Sequence, residues 1–361
     1  NALWLSAFLM SVMALLPGIP AIPFLLLAAL AAGAAFMLMR QAEQIVEKAA
    51  TAAASAAEAI PVKEEPITTA LAIDLIRLEL GYGLLSMINS QKEQRLTDQI
   101  KALRRQLASE MGFVMPAVRI QDNLQLASNT YIIRIKEMEE AMFRGYTVVD
   151  APTVITTHLT EIIRDNMSEL LSYVETQKLL DELDEAHQKL ISDLVPNQIS
   201  IGGIQRVLQN LLGERISIRD LSTILEGISE ACGYTRNITQ ITEHVRSRLA
   251  RQLSDANTNE QGHVPLITLA PEWEQAFAES IIGDGEEKQL AMSPTDLQKF
   301  IGAVRTTFER HAMQGDVPVL LVSPGIRPYV RSVIERFRPV TVVMSQNEIH
   351  AKARIKTVGQ I

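Results

Sequence analysis

The sequence predicts a multidomain chain: a transmembrane α-hairpin followed by a cytosolic α+β subdomain, an all-α subdomain and a C-terminal α/β subdomain. Three observations predict it. Ala2 to Met39 contains no Asp, Glu, Lys, Arg or His. Strand alternation and helical period are mixed in the next part of the chain and give way to helical period alone. Near the end, the apolar run Val317 to Val322, bounded by turns, has the continuous hydrophobicity of a strand buried on both faces.

A spanning helix takes about 20 apolar residues, and the uncharged stretch is nearly twice that. Pro17-Gly18-Ile19-Pro20 interrupts it, and proline cannot donate to a helical ladder. The expectation is therefore two spans, Ala2 to Leu16 and Ile22 to Met39, within a hairpin at 1–40. A cleaved signal peptide would need a basic start and a short apolar core, whereas the first basic residue here is Arg40. Arg40, Lys48 and Lys63 follow the second span, which by the positive-inside bias puts the rest of the chain in the cytoplasm. The chain opens on Asn1 directly into the apolar run, so further membrane segments are expected upstream. Ala2 to Met39 holds no ionisable group, so an ion or proton path would lie upstream too.

About 320 residues follow the hairpin, enough for two or three domains. Net charge of −8 and a pI near 5.4 exclude the basic face of a typical nucleic-acid binder. A single cysteine, Cys232, excludes an intrachain disulfide framework and a thiolate zinc cluster, and reads as a packed small residue.

Residues 41–66, alanine-rich and then bearing Pro61 and Pro66, read as a tether. A first subdomain at 67–160 opens with Ile76-Arg77-Leu78-Glu79-Leu80, whose alternation gives one apolar strand face. Leu96, Ile100, Leu103 and Leu107 then mark a helix. Strands are expected at Ala117 to Ile120, Tyr131 to Ile135 and Tyr146 to Val149, before a helix from Thr153. The all-helical part, 161–253, is expected to break at Leu194-Val195-Pro196, Gly202-Gly203, Gly213 and Gly233. Ser217 reads as an N-cap, with Asp220 completing a capping box. Residues 254–361 close with a strand at Val264 to Leu269, helices at Glu272 to Ile282 and Pro294 to Gln314, then a βαβ unit. That unit comprises the apolar strand, a helix ending at Phe337 and a strand at Val340 to Met344.

Chemistry-bearing motifs are few. Asp184-Glu185-Ala186-His187 spells a helicase-like acidic motif, but no GxxxxGK[ST] phosphate loop accompanies it. Its letters fall in a run of leucines at helical spacing and read as a solvated helix face. None of the six histidines pairs with another at i+3 or i+4. No catalytic, cofactor or metal residues are therefore named. The turn Ser323-Pro324-Gly325 before a helix can offer backbone N–H groups to an anion, although one glycine in a turn is a weak signal and a plain connector explains it better. An alternative reading follows: a membrane transporter whose cytosolic part senses a small ligand at Ser323 to Ile326.

Particular strings carry more than periodicity. Ile76-Arg77-Leu78-Glu79-Leu80-Gly81-Tyr82-Gly83-Leu84, Arg104-Arg105-Gln106-Leu107, Gly112-Phe113-Val114 and Val118-Arg119-Ile120-Gln121-Asp122-Asn123 resemble the FlhA family of type III export gates. So do Gly145-Tyr146-Thr147-Val148-Val149-Asp150, Val207 to Leu212, Ile216 to Asp220 and the Leu-Pro-Gly-Ile-Pro hairpin. The resemblance implies a non-enzymatic component of the bacterial inner membrane. Its cytosolic part would form a homo-oligomeric, nonameric ring. That ring would dock flagellar chaperone–substrate complexes, the secretion ATPase complex and other export-gate membrane proteins, for export driven by proton-motive force. Injectisome gates share the pattern. No nucleic acid or cofactor is implied, and the lipid bilayer is.

The same resemblance implies the site residues. Gly81 matches a glycine whose conformational freedom serves rearrangement of the first subdomain, with Tyr82 beside it. Thr153 and Thr157 lie on the helix lining the chaperone cleft, and either one can be the contact threonine. An N-cap role for Thr153 and plain helix surface for Thr157 are equally open. Glu64 and Ile67 stand where the family's linker contacts the neighbouring subunit, with Ile67 in place of a tryptophan. The family also carries an inserted subdomain between the strand ending at Ile135 and the strand at Tyr146. Here only Lys136 to Gly145 separates them, so the insert is either lacking in this protein or not represented in the chain.

Overall fold

In the computed structural model the described residues are Gly33, 73–85, 96–144, 151–283 and 288–361. The chain divides into two compact units, Asn1–Ile73 and Asp74–Ile361. In the first, Gly33 is helical and exposed. The predicted hairpin, the linker with Glu64, and Ile67 otherwise lie outside the described residues. No described helix is long and apolar enough to cross a membrane.

The second unit begins with a four-stranded sheet. It comprises β1 (Ile76–Leu80), β2 (Val118–Asp122), β3 (Thr130–Ile135) and β4 (Met138–Arg144), in the order β2-β1-β3-β4. β1 pairs parallel with β2 and antiparallel with β3, which pairs antiparallel with β4. Between β1 and β2 lies α1 (Leu96–Met111), burying Leu96, Ile100, Leu103 and Leu107 as its spacing predicts. After β4 comes α2 (Ala151–Leu170), burying Ile155, Leu159, Ile163 and Met167. It runs unbroken through position 160, so that boundary falls inside a helix.

The hairpin of β3 and β4 is a difference from the sequence expectation. Met138 to Arg144 shows no alternation, yet it forms a strand where a connection was expected. Lys136 and Glu137 close the hairpin at φ 48° and 70°, the left-handed geometry that right-twisted strands require of a two-residue turn. The expected strand at Tyr146 to Val149 lies outside the described residues.

Five helices form the middle of the unit: α3 (Tyr173–Asp181), α4 (Glu185–Leu194), α5 (Ile201–Gly213), α6 (Leu221–Cys232) and α7 (Ile238–Arg248). A short α8 (Ala250–Ala256) follows. Serine, aspartate and asparagine caps open several of them. Ser172, Asp184, Ser200, Asp220 and Asn237 each accept from the N–H three residues on. Three local expectations change. Gly202 and Gly203 lie in the first turn of α5 and not in a break. Asp220 is the N-cap of α6, while Ser217 Oγ donates to Glu110 O at 2.7 Å. Asp184 and Glu185 stand at a helix start and not along a helix face.

The closing part is a parallel sheet of β5 (Val264–Thr268), β8 (Val319–Val322), β9 (Val343–Ser345) and β10 (Ile355–Gln360). Its order is β10-β5-β8-β9. A small antiparallel ribbon, β6 (Ile281–Ile282) and β7 (Gln289–Leu290), links α9 (Pro271–Ser280) to α10 (Pro294–Ala312). α11 (Arg327–Ile334) joins β8 to β9. The continuous apolar runs have a direct cause. Leu266, Val319 and Met344 pack into the core shared with the helices, while Ile267, Leu320, Val322 and Val343 pack against Phe277, Phe300 and Val330 on the opposite face. Both sides of the sheet are covered. β10 was not expected from the sequence.

Candidate binding surfaces and a buried ionic seam

Gly81 follows β1 with φ −69° and ψ 157°, an extended conformation open to any residue. Space is what excludes other residues. A Cβ there would stand 2.3 Å from Ala127 O and 3.0 Å from Thr130 O, because the Gly81 N–H donates to Thr130 O at 2.8 Å. In this conformation the glycine serves close backbone approach. Tyr82 follows in a 3-10 turn, 71% exposed. Thr153 and Thr157 sit one turn apart on the exposed side of α2, with Thr157 Oγ1 donating to Thr153 O at 2.9 Å. Since α2 starts at Ala151, Thr153 is not its N-cap.

The two large clefts lie elsewhere, on either side of a seam that periodicity did not reveal. Glu214 follows the last turn of α5, Glu243 and Arg246 share α7, Arg327 and Arg331 share α11, and Glu348 sits in the 3-10 turn after β9. Arg327 donates from both Nη atoms to Glu214, at 2.8 and 3.0 Å. Its Nε and Nη2 reach Glu243 at 2.6 and 2.5 Å. Arg246 joins Glu214 at 2.9 Å to Glu348 at 2.5 Å, and Ser345 Oγ donates to Glu348 at 2.9 Å. The Arg246 side chain is 1% exposed and that of Arg327 3%, so neither charge reaches water. They persist because each guanidinium fork matches carboxylates geometrically.

The two central carboxylates respond differently to this burial. Burial alone would raise Glu214, but the charges of Arg246 and Arg327 outweigh it and hold its pKa below the ordinary value. For Glu243 burial prevails over Arg327, and its pKa is raised. Arg331 is lowered, chiefly by burial. One cleft, about 530 Å³, is lined by Glu214, Glu243, Arg327 and Arg331 together with Lys136 and Glu335. The other, about 720 Å³, reaches Glu214, Arg246 and Arg331 from the side of Met111, Leu253 and Val340. Gly81, Tyr82, Thr153 and Thr157 line neither.

Among the described residues no group of three His, Cys, Asp or Glu is arranged to hold a metal ion. Cys232 is buried, and burial pushes its thiol up. Asp184 caps α4 and pairs with His187, which is local helix chemistry. At the turn before α11, the Ser323 N–H is already donated to Glu274 Oε1 at 3.0 Å, so a carboxylate of the chain itself occupies that donor.

The only signal of the seam in the sequence is charge on an otherwise apolar helix face. Arg246 shares the buried face of α7 with Ile241 and Val245. Glu214, Arg327 and Glu348 come together only in three dimensions.

A mixed four-stranded sheet, a helical middle and a parallel-sheet end make a fold similar to that of solved cytosolic domains from type III secretion systems. The chain is similar to the Chlamydia pneumoniae CdsV protein at TM-score 0.71 and 23% identity, over 80% of this chain and 98% of that one. It is similar to nonameric EPEC SctV-C at TM-score 0.68 and 19% identity, over 80% and 99%. At these identities the likeness establishes the fold. The family profile described as FHIPEP matches residues 1–142 and 136–354, and the chain belongs to the FHIPEP family. It is 53% identical over 352 residues to the flagellar biosynthesis protein FlhA of Caulobacter vibrioides, covering 85% of this chain and 50% of that protein. To FlhA of Bacillus subtilis it is 31% identical over 343 residues, covering 82% and 51%. The chain thus spans about half the length of these relatives. The two profile matches overlap at 136–142, the turn and most of β4.

Proposed function

We propose that this chain is part of the export gate of a flagellar type III protein secretion apparatus, and that it acts by binding other proteins and not as an enzyme. Its 74–361 unit is read as the cytosolic docking body of an inner-membrane protein. In a homo-oligomeric ring, that body receives chaperone–substrate complexes and proteins of the ATPase complex for export driven by proton-motive force. The observation that carries the reading is the family match across nearly the whole chain, with 53% identity to a FlhA. Support for assembly comes from relatives in fold, among them the nonameric EPEC SctV-C and a Chlamydia pneumoniae CdsV–CdsO complex, matched at TM-score 0.73 and 22% identity.

Docking beside Gly81, Tyr82, Thr153 and Thr157, and linker contact through Glu64 and Ile67, belong to this proposal. Exposed Tyr82, Thr153 and Thr157 suit contact with a partner. Titrating labelled flagellar chaperone–substrate complexes into the full chain tests it. Saturable binding that weakens in Tyr82→Ala and Thr157→Glu is expected, and the absence of saturable binding sinks the docking role. A ligand sensor at Ser323 to Ile326 is the weaker reading, since Glu274 already takes the Ser323 N–H.

A further inference from the structure

The cleft of about 720 Å³ between the end of α1, the stretch from Glu214 to Asp220, α8 and the loop before β9 has the size of a small-molecule site. Its walls are largely apolar, with Met111, Ile216, Leu253, Val340 and Val342 among the lining residues. Most of its polar rim is already engaged. Arg215 pairs with Asp165 and Glu110 with Arg164, while Arg219 Nη1 donates to Ser109 O at 3.1 Å. Gln252 donates to Ser217 O at 3.0 Å, Asn257 to Leu253 O at 2.7 Å, and Asp220 caps α6.

Arg331 is the exception. Its side chain is 8% exposed, yet its nearest carboxylate oxygens, on Glu335 and Glu214, stand 3.8 and 3.9 Å from Nε, beyond hydrogen-bond range. Glu214 is occupied by Arg246 and Arg327. Arg331 Nη1 is held by two neutral carbonyls, Pro339 O at 3.2 Å and Thr341 O at 2.8 Å. Its Nε has no hydrogen-bond partner, nor has the Nε of Arg246, which lines the same cleft and is 1% exposed. A buried cation without a directly bonded carboxylate is costly, and buried donors without partners are rare in native folds. An apolar cleft beside a guanidinium with carboxylates within 4 Å but no direct hydrogen bond to one complements a ligand with an apolar body and one negative charge.

We infer that this cleft binds a small amphiphilic organic acid, its carboxylate directed to Arg331 and its apolar body against Leu253, Val340 and Val342. The site is separate from the docking residues of the proposed function and does not depend on them.

The test uses the full chain in lipid nanodiscs, with empty nanodiscs as blank, titrated by calorimetry with 2-naphthoate. The neutral 2-naphthalenemethanol and a tetrapeptide ending in leucine with a free carboxylate serve as comparison probes. Saturable 2-naphthoate binding is expected, with the alcohol at least about tenfold weaker, the scale of one hydrogen bond to a charged group. Arg331→Met is expected to weaken the acid about tenfold. Val340→Asp, at a 60% exposed rim position where folding is not at stake, is expected to weaken it similarly by repelling the carboxylate. Equal binding of acid and alcohol, no effect of Val340→Asp, or binding of the tetrapeptide in place of 2-naphthoate each overturns the inference.

Discussion

On the outer face of the first sheet, Glu79 accepts from Arg134 at 2.8 Å and from Asn123 at 2.8 Å, while Arg77 and Glu139 extend a ladder of pairs whose arginines are 20–25% exposed. At the seam between α7, α11 and the turn after β9, the arginines are 1–8% exposed; Arg327 grips Glu214 and Glu243 in forks, Arg246 bridges Glu214 and Glu348, and Arg331 stands 3.9 Å from Glu214. The two regions carry similar groups but different energetics. In the ladder, water shares the solvation of the arginines and of Glu139, while Glu79, 8% exposed, rests on Arg134 and Asn123; a lost pair is partly replaced by hydration of the arginine. In the seam nothing replaces it, so each charge depends on its partners. The difference teaches that a count of ion pairs says little about this fold; their burial decides what they do.

The largest expected effect breaks the seam. Arg327→Met leaves Glu214 and Glu243 without their shared guanidinium and is expected to cost about 3–5 kcal/mol in urea unfolding. A loss below 1 kcal/mol would erase the distinction between the two regions. Next comes a change that touches packing and no charge. Gly81→Ala in the first sheet drives a methyl against Ala127 O and is expected to cost about 1–3 kcal/mol. That would show the first sheet to depend on close backbone approach more than on its ladder.

Acid sharpens the comparison through sign. Glu214 and Glu79 both have folded pKa values below the ordinary 4.5, so the stability they contribute is present above about pH 4.5 and is lost as pH falls through their folded values. Burial raises Glu243, so its contribution runs the other way: it favours the fold when protonated and fades as pH rises through its folded value. Stability measured from pH 7 to pH 3 is therefore expected to fall on acidification, and more steeply in Glu243→Gln, which lacks the opposing group.

Smaller effects belong to the hairpin and the ladder. Lys136→Gly relieves a side chain at φ 48° and is expected to stabilise the fold by about 1 kcal/mol in urea unfolding. Arg119→Ala removes a 3.2 Å pair with Asp74 from an arginine 60% exposed. It is expected to change stability by no more than about 0.5 kcal/mol in the same assay.

Much of the fold was legible because its cause is local. Leu96, Ile100, Leu103 and Leu107 recur at helical spacing, and they are the residues α1 buries. Ile76, Leu78 and Leu80 alternate because one face of β1 meets the core. The apolar run around Val319 read as a parallel strand, and β8 has neighbours on both edges and side chains packed on both faces. β4 was missed because an edge strand with Met138 and Met142 exposed needs no alternation. β10 was missed for a related reason: Ile355 to Thr357 are exposed, and only pairing with β5 makes a strand of them. Of the named docking residues, Gly81 was singled out by resemblance, and its steric reason appears only when Ala127 and Thr130 are seen above it.

By itself the sequence determined the order of parts, the faces the helices bury and the family, since side-chain periodicity and motif spacing are properties of neighbours along the chain. The tertiary structure alone decided how Glu214, Glu243, Arg246, Arg327 and Glu348 meet, and where the two clefts open beside them. Attraction between charges acts through space without regard to sequence separation, and a charge on a helix face shows its partner only when another element is packed against it.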